Sequence, residues 1–179
     1  NDLICITGDL GSAYMGLSLL EREKRVLRDV ENPEPKFEGY GYLLQSYLKP
    51  RARKDIIELL AEEGILPTSM IDISDGLASE VLQICKASKC GARIYLNRIP
   101  IAKQTSALAE EMHVDPVIAA LNGGNDYELM FTVPLSMQEQ VMRLGVVDVI
   151  GHITKESTGA FLVTPDGSDI KLRAQGFKE

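Results

Sequence analysis

The segment MIDISDGLASE, residues 70–80, places two aspartates and a serine where an apolar run turns into a helical pattern. A helix N-terminus attracts anions because its first amide groups are unpaired, so two carboxylates at that point need a reason. Ser74 or Asp75 could cap the helix while Asp72 merely ends the strand. Alternatively, Asp72 and Asp75 could face one hard cation, since Mg²⁺ binds one or two carboxylates together with phosphate oxygens. The pattern alone leaves both interpretations open.

A second group of polar residues stands in LNGGNDYELMF, just before a buried strand pattern. Gly123 and Gly124 permit a tight backbone path, and Asn125, Asp126 and Glu128 crowd polar groups beside it. A plain loop would explain the glycines, and Asp126 could be a simple turn residue. A loop explains less well why three polar or acidic side chains lie against an apolar strand. We therefore interpret this segment as a second candidate site.

Glycines also recur in GDLGSAYMG, at Gly8, Gly11 and Gly16. This pattern is neither G-x-G-x-x-G nor a Walker A loop. Gly16 falls inside a predicted helix, where glycine is unfavourable, so close packing between helices is its commoner cause. Backbone amides near a phosphate are the alternative. At the other end of the chain, Phe177 follows Gly176 as a lone aromatic residue, a position typical of ordinary packing.

The net charge of −7 argues against a general nucleic-acid binder, whose affinity comes mainly from neutralising phosphates. The one basic segment, LKPRARK, is interpreted as a solvated helix start and not as a phosphate-binding track. An acidic protein can still bind phosphorylated ligands if Mg²⁺ supplies the positive charge. No apolar run approaches the ~20 residues that a membrane span needs. We therefore expect neither nucleic acid nor membrane as a partner.

The cysteines and histidines limit the chemistry further. Cys5, Cys85 and Cys90 are odd in number and form no C-x-x-C pair, which is typical of buried thiols in a reducing cytoplasm. His113 and His152 are far apart in the sequence, so a zinc site is not expected.

The elements that must position these residues alternate between strand and helix patterns. Strands are predicted at residues 3–7, 70–73, 92–97, 126–134, 146–154, 159–165 and 169–175. Helices are predicted up to about residue 29 and at residues 40–48, 50–64, 76–88, 102–112, 116–121 and 136–145. The third helix should begin at Pro50, since proline suits a first helical turn, and end at Gly64.

The closing strands are joined through the turn signal Asp166-Gly167, which predicts an antiparallel hairpin. This hairpin excludes a purely parallel sheet. We predict an α/β (α+β) domain with a mixed β-sheet sandwiched between helices. The chain opens with NDLICIT, without methionine and directly inside a strand pattern. Removal of a tag would explain that start, and so would a missing N-terminal region.

Taken together, ITGDLGSAYMGL, IDISDGLASEVLQI and LNGGNDYELMFTVP resemble the C-terminal part of the thiamine-monophosphate kinases. The similarity extends to YLLQSYLKPRARKDI and the closing GF. Aminoimidazole ribonucleotide synthetase and selenophosphate synthetase share the architecture of that superfamily. The resemblance implies the fold of the C-terminal domain of aminoimidazole ribonucleotide synthetase. It also implies the ATP-dependent phosphorylation of thiamine monophosphate to thiamine diphosphate with several Mg²⁺ ions.

The resemblance also implies roles for single residues. Asp72 and Asp75 match aspartates that bind Mg²⁺, and Ser74 matches a serine that contacts ATP. Asn125 and Phe177 match residues that contact the thiamine substrate. The family pattern usually reads Gly-Gly-Glu-Asp, so Asn125 replaces a glutamate that could pair with the cationic thiazolium ring.

The same resemblance implies that residues 1–179 form the C-terminal domain of a homodimeric cytoplasmic kinase. The nucleotide-binding N-terminal domain, with most of the metal-binding aspartates and the dimer interface, is absent from this sequence. The chain alone is therefore expected to be inactive. The alternatives are a non-catalytic domain that binds a nucleotide or metal, which Asn125 favours, and another ATP-dependent enzyme of the superfamily.

Overall fold

A computed structural model describes residues 1–175, so the predicted substrate residue Phe177 lies outside the described part of the chain. Within it, the strands are β1 (Leu3–Thr7), β2 (Ser69–Asp72), β3 (Cys90–Tyr95), β4 (Leu129–Val133), β5 (Val147–Lys155), β6 (Ala160–Val163) and β7 (Asp169–Lys171). The helices are α1 (Ser12–Val26), α2 (Gly41–Leu48), α3 (Lys54–Glu62), α4 (Leu77–Ser88), α5 (Lys103–Glu111), α6 (Pro116–Asn122) and α7 (Gln138–Arg143).

The described strands form a single sheet in the order β2-β4-β1-β5-β3-β6-β7. Its neighbours pair antiparallel, apart from the parallel pair of β3 and β6. The closing strands β6 and β7 form the expected hairpin, and Gly167 takes the positive φ of 87° in its turn. The prediction of a mixed sheet is confirmed.

Alternation along β1 explains why helices cover both faces of the sheet. Ile4 and Ile6 point into one core cluster, which α4 and α6 close. Leu3 and Cys5 point to the opposite face, which α3 and α7 cover. Successive side chains of a strand face opposite sides, so an uninterrupted apolar strand indicates burial on both. Among residues 1–175, no helix combines the length and apolar character needed to cross a membrane.

Close packing of α1 on α2 accounts for Gly16. A Cβ atom at this position would lie 2.2 Å from the carbonyl oxygen of Leu43 in α2, so a larger residue would force the helices apart. Of the two interpretations of Gly16, helix packing is therefore the one confirmed.

The expected buried thiols are found at Cys5 and Cys85, whereas Cys90 is half-buried. Burial raises the pKa of the Cys5 thiol to about 12 and that of Cys85 to about 12. These two thiols therefore stay protonated at neutral pH and are poor nucleophiles.

The predicted start of α3 at Pro50 is wrong, because the helix begins at Lys54. The guanidinium group of Arg53 donates hydrogen bonds to the carboxylates of Glu128 and Asp55. The bond to Glu128 anchors the residues before the helix to a distant loop, and the Arg53 side chain is only 19% exposed. The rest of the basic segment, residues 48–52 and Lys54, is exposed as predicted, so only Arg53 departs from a solvated helix start.

Candidate functional site

Two loops meet at the end of the sheet where β2 stops and β4 begins. We call residues 72–76 the aspartate turn and residues 122–128 the diglycine loop. Since β2 and β4 are antiparallel, with Asp72 opposite Leu129, the residues after β2 face the residues before β4. The two strongest sequence motifs therefore lie side by side.

Backbone hydrogen bonds join the two loops along their length. The Ile73 amide donates to the Glu128 carbonyl at 2.7 Å, and the Tyr127 amide donates to the Ile73 carbonyl at 2.9 Å. The Asn125 amide donates to the Ser74 carbonyl at 2.7 Å. These bonds fix Asn125 against Ser74. A molecule bound to one loop can therefore also contact the other loop.

The diglycine loop departs from the extended strand that was predicted over residues 126–128. Asn125 and Tyr127 have positive φ angles of 61° and 51°, which strand residues do not adopt. Gly124 has a φ of 69°, and a Cβ atom there would lie 2.6 Å from the Ser74 carbonyl oxygen. The glycine is required by both its conformation and the close approach of the turn.

The carboxylates of the aspartate turn do not cap α4. The N-cap position of this helix is Gly76, and no side chain caps it. Asp72 and Asp75 are exposed, and within residues 1–175 their carboxylates accept no hydrogen bond and form no ion pair. Hard, unpaired oxygen ligands of this kind suit Mg²⁺. The described chain holds no group of three or more potential metal ligands, so a cation here would need further donors.

A polar cavity of about 830 Å³ opens beside the turn, and we call it the first cavity. Ser74, Asp75 and Asn125 all line it, together with Gln175 near the end of the described chain. Asp72 lies on the same turn but outside this lining. The structure thus brings three of the five sequence-predicted site residues together in one cavity and places Asp72 on the same turn, while Phe177 lies outside the described residues.

A second cavity of about 660 Å³ is lined by Asp126 and Glu128 of the diglycine loop and by Asp9, Tyr42 and Arg53 among others. Several of its polar side chains hydrogen-bond to each other or to neighbouring residues. The Glu128 carboxylate accepts hydrogen bonds from Arg53 and from the Thr7 hydroxyl, and the Tyr42 hydroxyl donates to Asp9 at 3.1 Å.

Asp126 has a structural role at the N-terminus of α1. Its carboxylate accepts hydrogen bonds from the backbone amides of Gly11 at 2.9 Å and Ala13 at 3.4 Å. Burial raises the pKa of Asp126 to about 7, and the negative charges of Glu128 and Asp9 act in the same direction. Asp126 therefore ties the diglycine loop to the glycine-rich segment, which explains its place better than a turn role does.

Sequence reasoning missed Glu80 and Arg53. Glu80 is buried in the first turn of α4 and bonds to the aspartate turn. A capping box places its acid three residues after the capping residue, whereas Glu80 follows Ser74 by six, so that signal is absent. Arg53 was assigned to a helix start, and its partner Glu128 is distant in sequence.

Comparison with known proteins gives consistent results. The chain matches the family described as AIR synthase related protein, C-terminal domain, over residues 2–163. It is 40% identical over 171 residues to the thiamine-monophosphate kinase of Buchnera aphidicola subsp. Schizaphis graminum, covering 90% of this chain and 48% of that kinase.

Solved structures show the same similarity. The crystal structure of thiamine monophosphate kinase from Aquifex aeolicus has a TM-score of 0.73 and 28% identity, covering 95% of this chain and 51% of that one. A structure of AaThiL complexed with AMPPCP and TMP has the same TM-score and identity, with 94% and 48% covered.

The chain spans about half the length of the relatives it matches. The similarity to the kinase structures supports the fold expected from the sequence motifs. Because the family match extends over residues 2–163, the chain belongs to the family of AIR synthase-related proteins and corresponds to their C-terminal domain.

Proposed function

We propose that the chain is the C-terminal half of a thiamine-monophosphate kinase, which transfers the γ-phosphoryl group of ATP to thiamine monophosphate. Two comparisons support this: relatives with that name, and a similar structure complexed with AMPPCP and TMP. The observation that carries the proposal is the pairing of the two loops. Unpartnered carboxylates and a polar substrate candidate, Asn125, stand beside one cavity.

In this proposal Asp72 and Asp75 hold Mg²⁺, and Ser74 contacts ATP. A bound Mg²⁺ would neutralise charge on the phosphates during transfer. The two carboxylates fit this role because they are exposed and lack partners within the described residues. Asn125 and Phe177 contact the thiamine moiety, and Phe177 follows the cavity-lining residue Gln175 by two positions.

The chain's own residues would bind and orient the two substrates. The attacking phosphate oxygen of thiamine monophosphate is ionised at neutral pH, so no side chain needs to act as a general base. Catalysis then depends on in-line positioning and on the exclusion of water. The hydrogen bond from Asn125 to Ser74 would hold the acceptor-binding loop in register with the nucleotide-binding turn.

We also propose that the complete kinase is a cytoplasmic homodimer in which an N-terminal domain supplies the nucleotide-binding half. The half-length match to the relatives supports the second domain, and the unpaired cysteines agree with a reducing compartment. The alternative is a non-catalytic domain that binds a nucleotide or metal, or another ATP-dependent enzyme of the superfamily. The neutral Asn125 is the feature that favours it.

The test is turnover by the full-length protein. With ATP, Mg²⁺ and thiamine monophosphate, chromatography should detect thiamine diphosphate forming at about 1 s⁻¹ or faster, a rate typical of enzymes. Thiamine itself, which lacks the acceptor phosphate, serves as the control and should not react. The 179-residue chain alone should show no appreciable turnover. Absence of product from the full-length protein would contradict the proposal and favour the non-catalytic alternative.

A further inference from the structure

Glu80 is a buried acid with no cationic partner among the described residues. It is only 1% exposed, although glutamate is rarely buried unless it is paired. Its Oε1 atom accepts a hydrogen bond from the Asp75 amide at 3.0 Å and faces the Ser74 hydroxyl at 3.4 Å. Its Oε2 atom accepts one from the Gln83 side chain at 2.9 Å. One carboxylate oxygen therefore binds the aspartate turn, and the other binds a side chain of α4.

Glu80 supports the aspartate turn from the side of α4, in addition to the backbone hydrogen bonds from the diglycine loop. Within residues 1–175, its side chain is the one that hydrogen-bonds to the turn's donors, while the N-cap residue Gly76 provides no side chain. Burial raises the pKa of Glu80, while the hydrogen bonds from the Asp75 amide and the Ser74 hydroxyl act in the opposite direction. Burying a carboxyl group is costly unless hydrogen bonds compensate for its lost hydration, and the turn and Gln83 supply those bonds here.

We propose that Glu80 is a positioning residue, which holds the aspartate turn so that Ser74 and Asp75 face the first cavity in the geometry that phosphoryl transfer needs. The predicted effect of Glu80 on phosphoryl transfer rests on the proposed function. Residues that orient metal-binding side chains typically change metal affinity or activity about 10–100-fold when they are replaced. Glu80 would act through Ser74 and Asp75 without touching the substrates itself.

The kinetic test compares Glu80→Ala and Glu80→Gln with Val81→Ala in the full-length protein. Val81 is the next residue of α4 and is 1% exposed, and its apolar side chain lies in the core and offers no hydrogen bond to the turn. Its truncation destabilises the same helix and so controls for loss of stability. Assays are made well below the melting temperature of every variant.

The Mg²⁺ concentration for half-maximal activity should rise about 10–100-fold in Glu80→Ala. Glu80→Gln should show a smaller rise, because the amide keeps one acceptor oxygen. Val81→Ala should keep the wild-type Mg²⁺ dependence. Equal Mg²⁺ dependence of Glu80→Ala and Val81→Ala would overturn the proposal.

A second measurement does not depend on turnover. Amide hydrogen exchange of the 179-residue chain, followed by NMR, should show a protected Asp75 amide that loses protection selectively in Glu80→Ala. The amides of β1 should remain protected relative to Asp75, and Val81→Ala should show no selective loss. An Asp75 amide that exchanges equally in wild type and Glu80→Ala would overturn the positioning role. If the wild-type protein makes no thiamine diphosphate, the proposed function fails while this readout still decides the role of Glu80.

Discussion

The aspartate turn and the diglycine loop carry two acids each, and the structure treats the two pairs in opposite ways. Asp126 and Glu128 are bound within the chain, one by the N-terminus of α1 and the other by Arg53 and Thr7. Asp72 and Asp75 are exposed and have no such partner within residues 1–175. The position of an acid next to a glycine-rich turn therefore does not reveal its role, whereas its partners do.

This difference has a physical cause. An acid that accepts hydrogen bonds from a helix N-terminus or an arginine stabilises the fold, and its loss leaves buried donors unsatisfied. An exposed acid without partners contributes little to stability and remains available to a ligand. We expect replacements in the diglycine loop to act mainly on folding, and replacements in the aspartate turn to act mainly on function.

The largest effect is expected for Asp72→Asn and Asp75→Asn in the full-length protein. Each variant should lower Mg²⁺-dependent turnover by about 100-fold or more, since a hard anionic ligand is lost. Each should leave the free energy of unfolding within about 0.5 kcal/mol of wild type, as expected for an exposed residue. Kinetics across a Mg²⁺ titration and chemical denaturation measure the two quantities. Near-normal kinetics in both variants would show that Asp72 and Asp75 do not bind the Mg²⁺ needed for turnover.

Breaking the Arg53–Glu128 pair should act on stability. Both side chains are largely shielded, at 19% and 18% exposure, so Arg53→Ala should lower the free energy of unfolding by about 2 kcal/mol, between surface and buried pairs. The matched control is Lys54→Ala, whose pair with Glu58 is 82% and 59% exposed and should contribute no more than about 0.5 kcal/mol. Urea unfolding of the 179-residue chain compares the two. Equal losses would show that the Arg53 pair is an ordinary surface contact.

Asp126 should make stability depend on pH. Its pKa of about 7 in the folded state lies above the value near 4 of an unfolded aspartate, so the folded state binds more protons between these values. Stability should therefore fall as pH rises from about 4 to about 7, by at most about 1.4 kcal/mol per pH unit from this group. Above pH 7 the contribution should be constant.

Asp126→Asn isolates this contribution, because asparagine keeps one acceptor oxygen but does not ionise. The free energy of unfolding of the variant, minus that of wild type, should increase between pH 4 and pH 7 and then level off. A difference that is independent of pH would mean that the Asp126 carboxylate titrates normally in the folded protein.

The smallest effect is expected at Asn125, on the exposed side of the diglycine loop. A glutamate near a permanently cationic ring would contribute about 1 kcal/mol in water at 4 Å, which asparagine forgoes. Asn125→Glu should lower the KM for thiamine monophosphate several-fold, leave the KM for ATP nearly unchanged and steepen the salt dependence. Substrate titrations at two ionic strengths measure this. An equal gain for both substrates would place Asn125 away from the thiamine moiety.

Much of the fold could be predicted because its signals are local. The apolar run of β1, the Asp166-Gly167 turn and the glycine ending α3 act within a few residues, and the structure has strand, hairpin and helix end there. The start of α3 could not be predicted, because Arg53 is held by Glu128 from a distant part of the chain. Pro50 alone carried no information about that partner.

The residues of the candidate site could be predicted from the sequence, but the separate role of each residue could not. The two motifs showed which polar residues surround the turns, and Ser74, Asp75 and Asn125 do line one cavity. The sequence could not separate the bound acid Asp126 from the unbound Asp75, since that depends on the tertiary contact with Gly11. Metal binding at Asp72 and Asp75 stays a prediction.

The central claim, that the aspartate turn is the site for a divalent cation, can be tested on the 179-residue chain by NMR with Mn²⁺. Paramagnetic Mn²⁺ broadens the amide signals nearest to it. The account predicts that broadening begins at residues 72–76, extends to Asn125 through the loop pairing, and disappears in the Asp72→Asn/Asp75→Asn double variant. Broadening centred on Asp126 and Glu128, or unchanged broadening in the double variant, would contradict it.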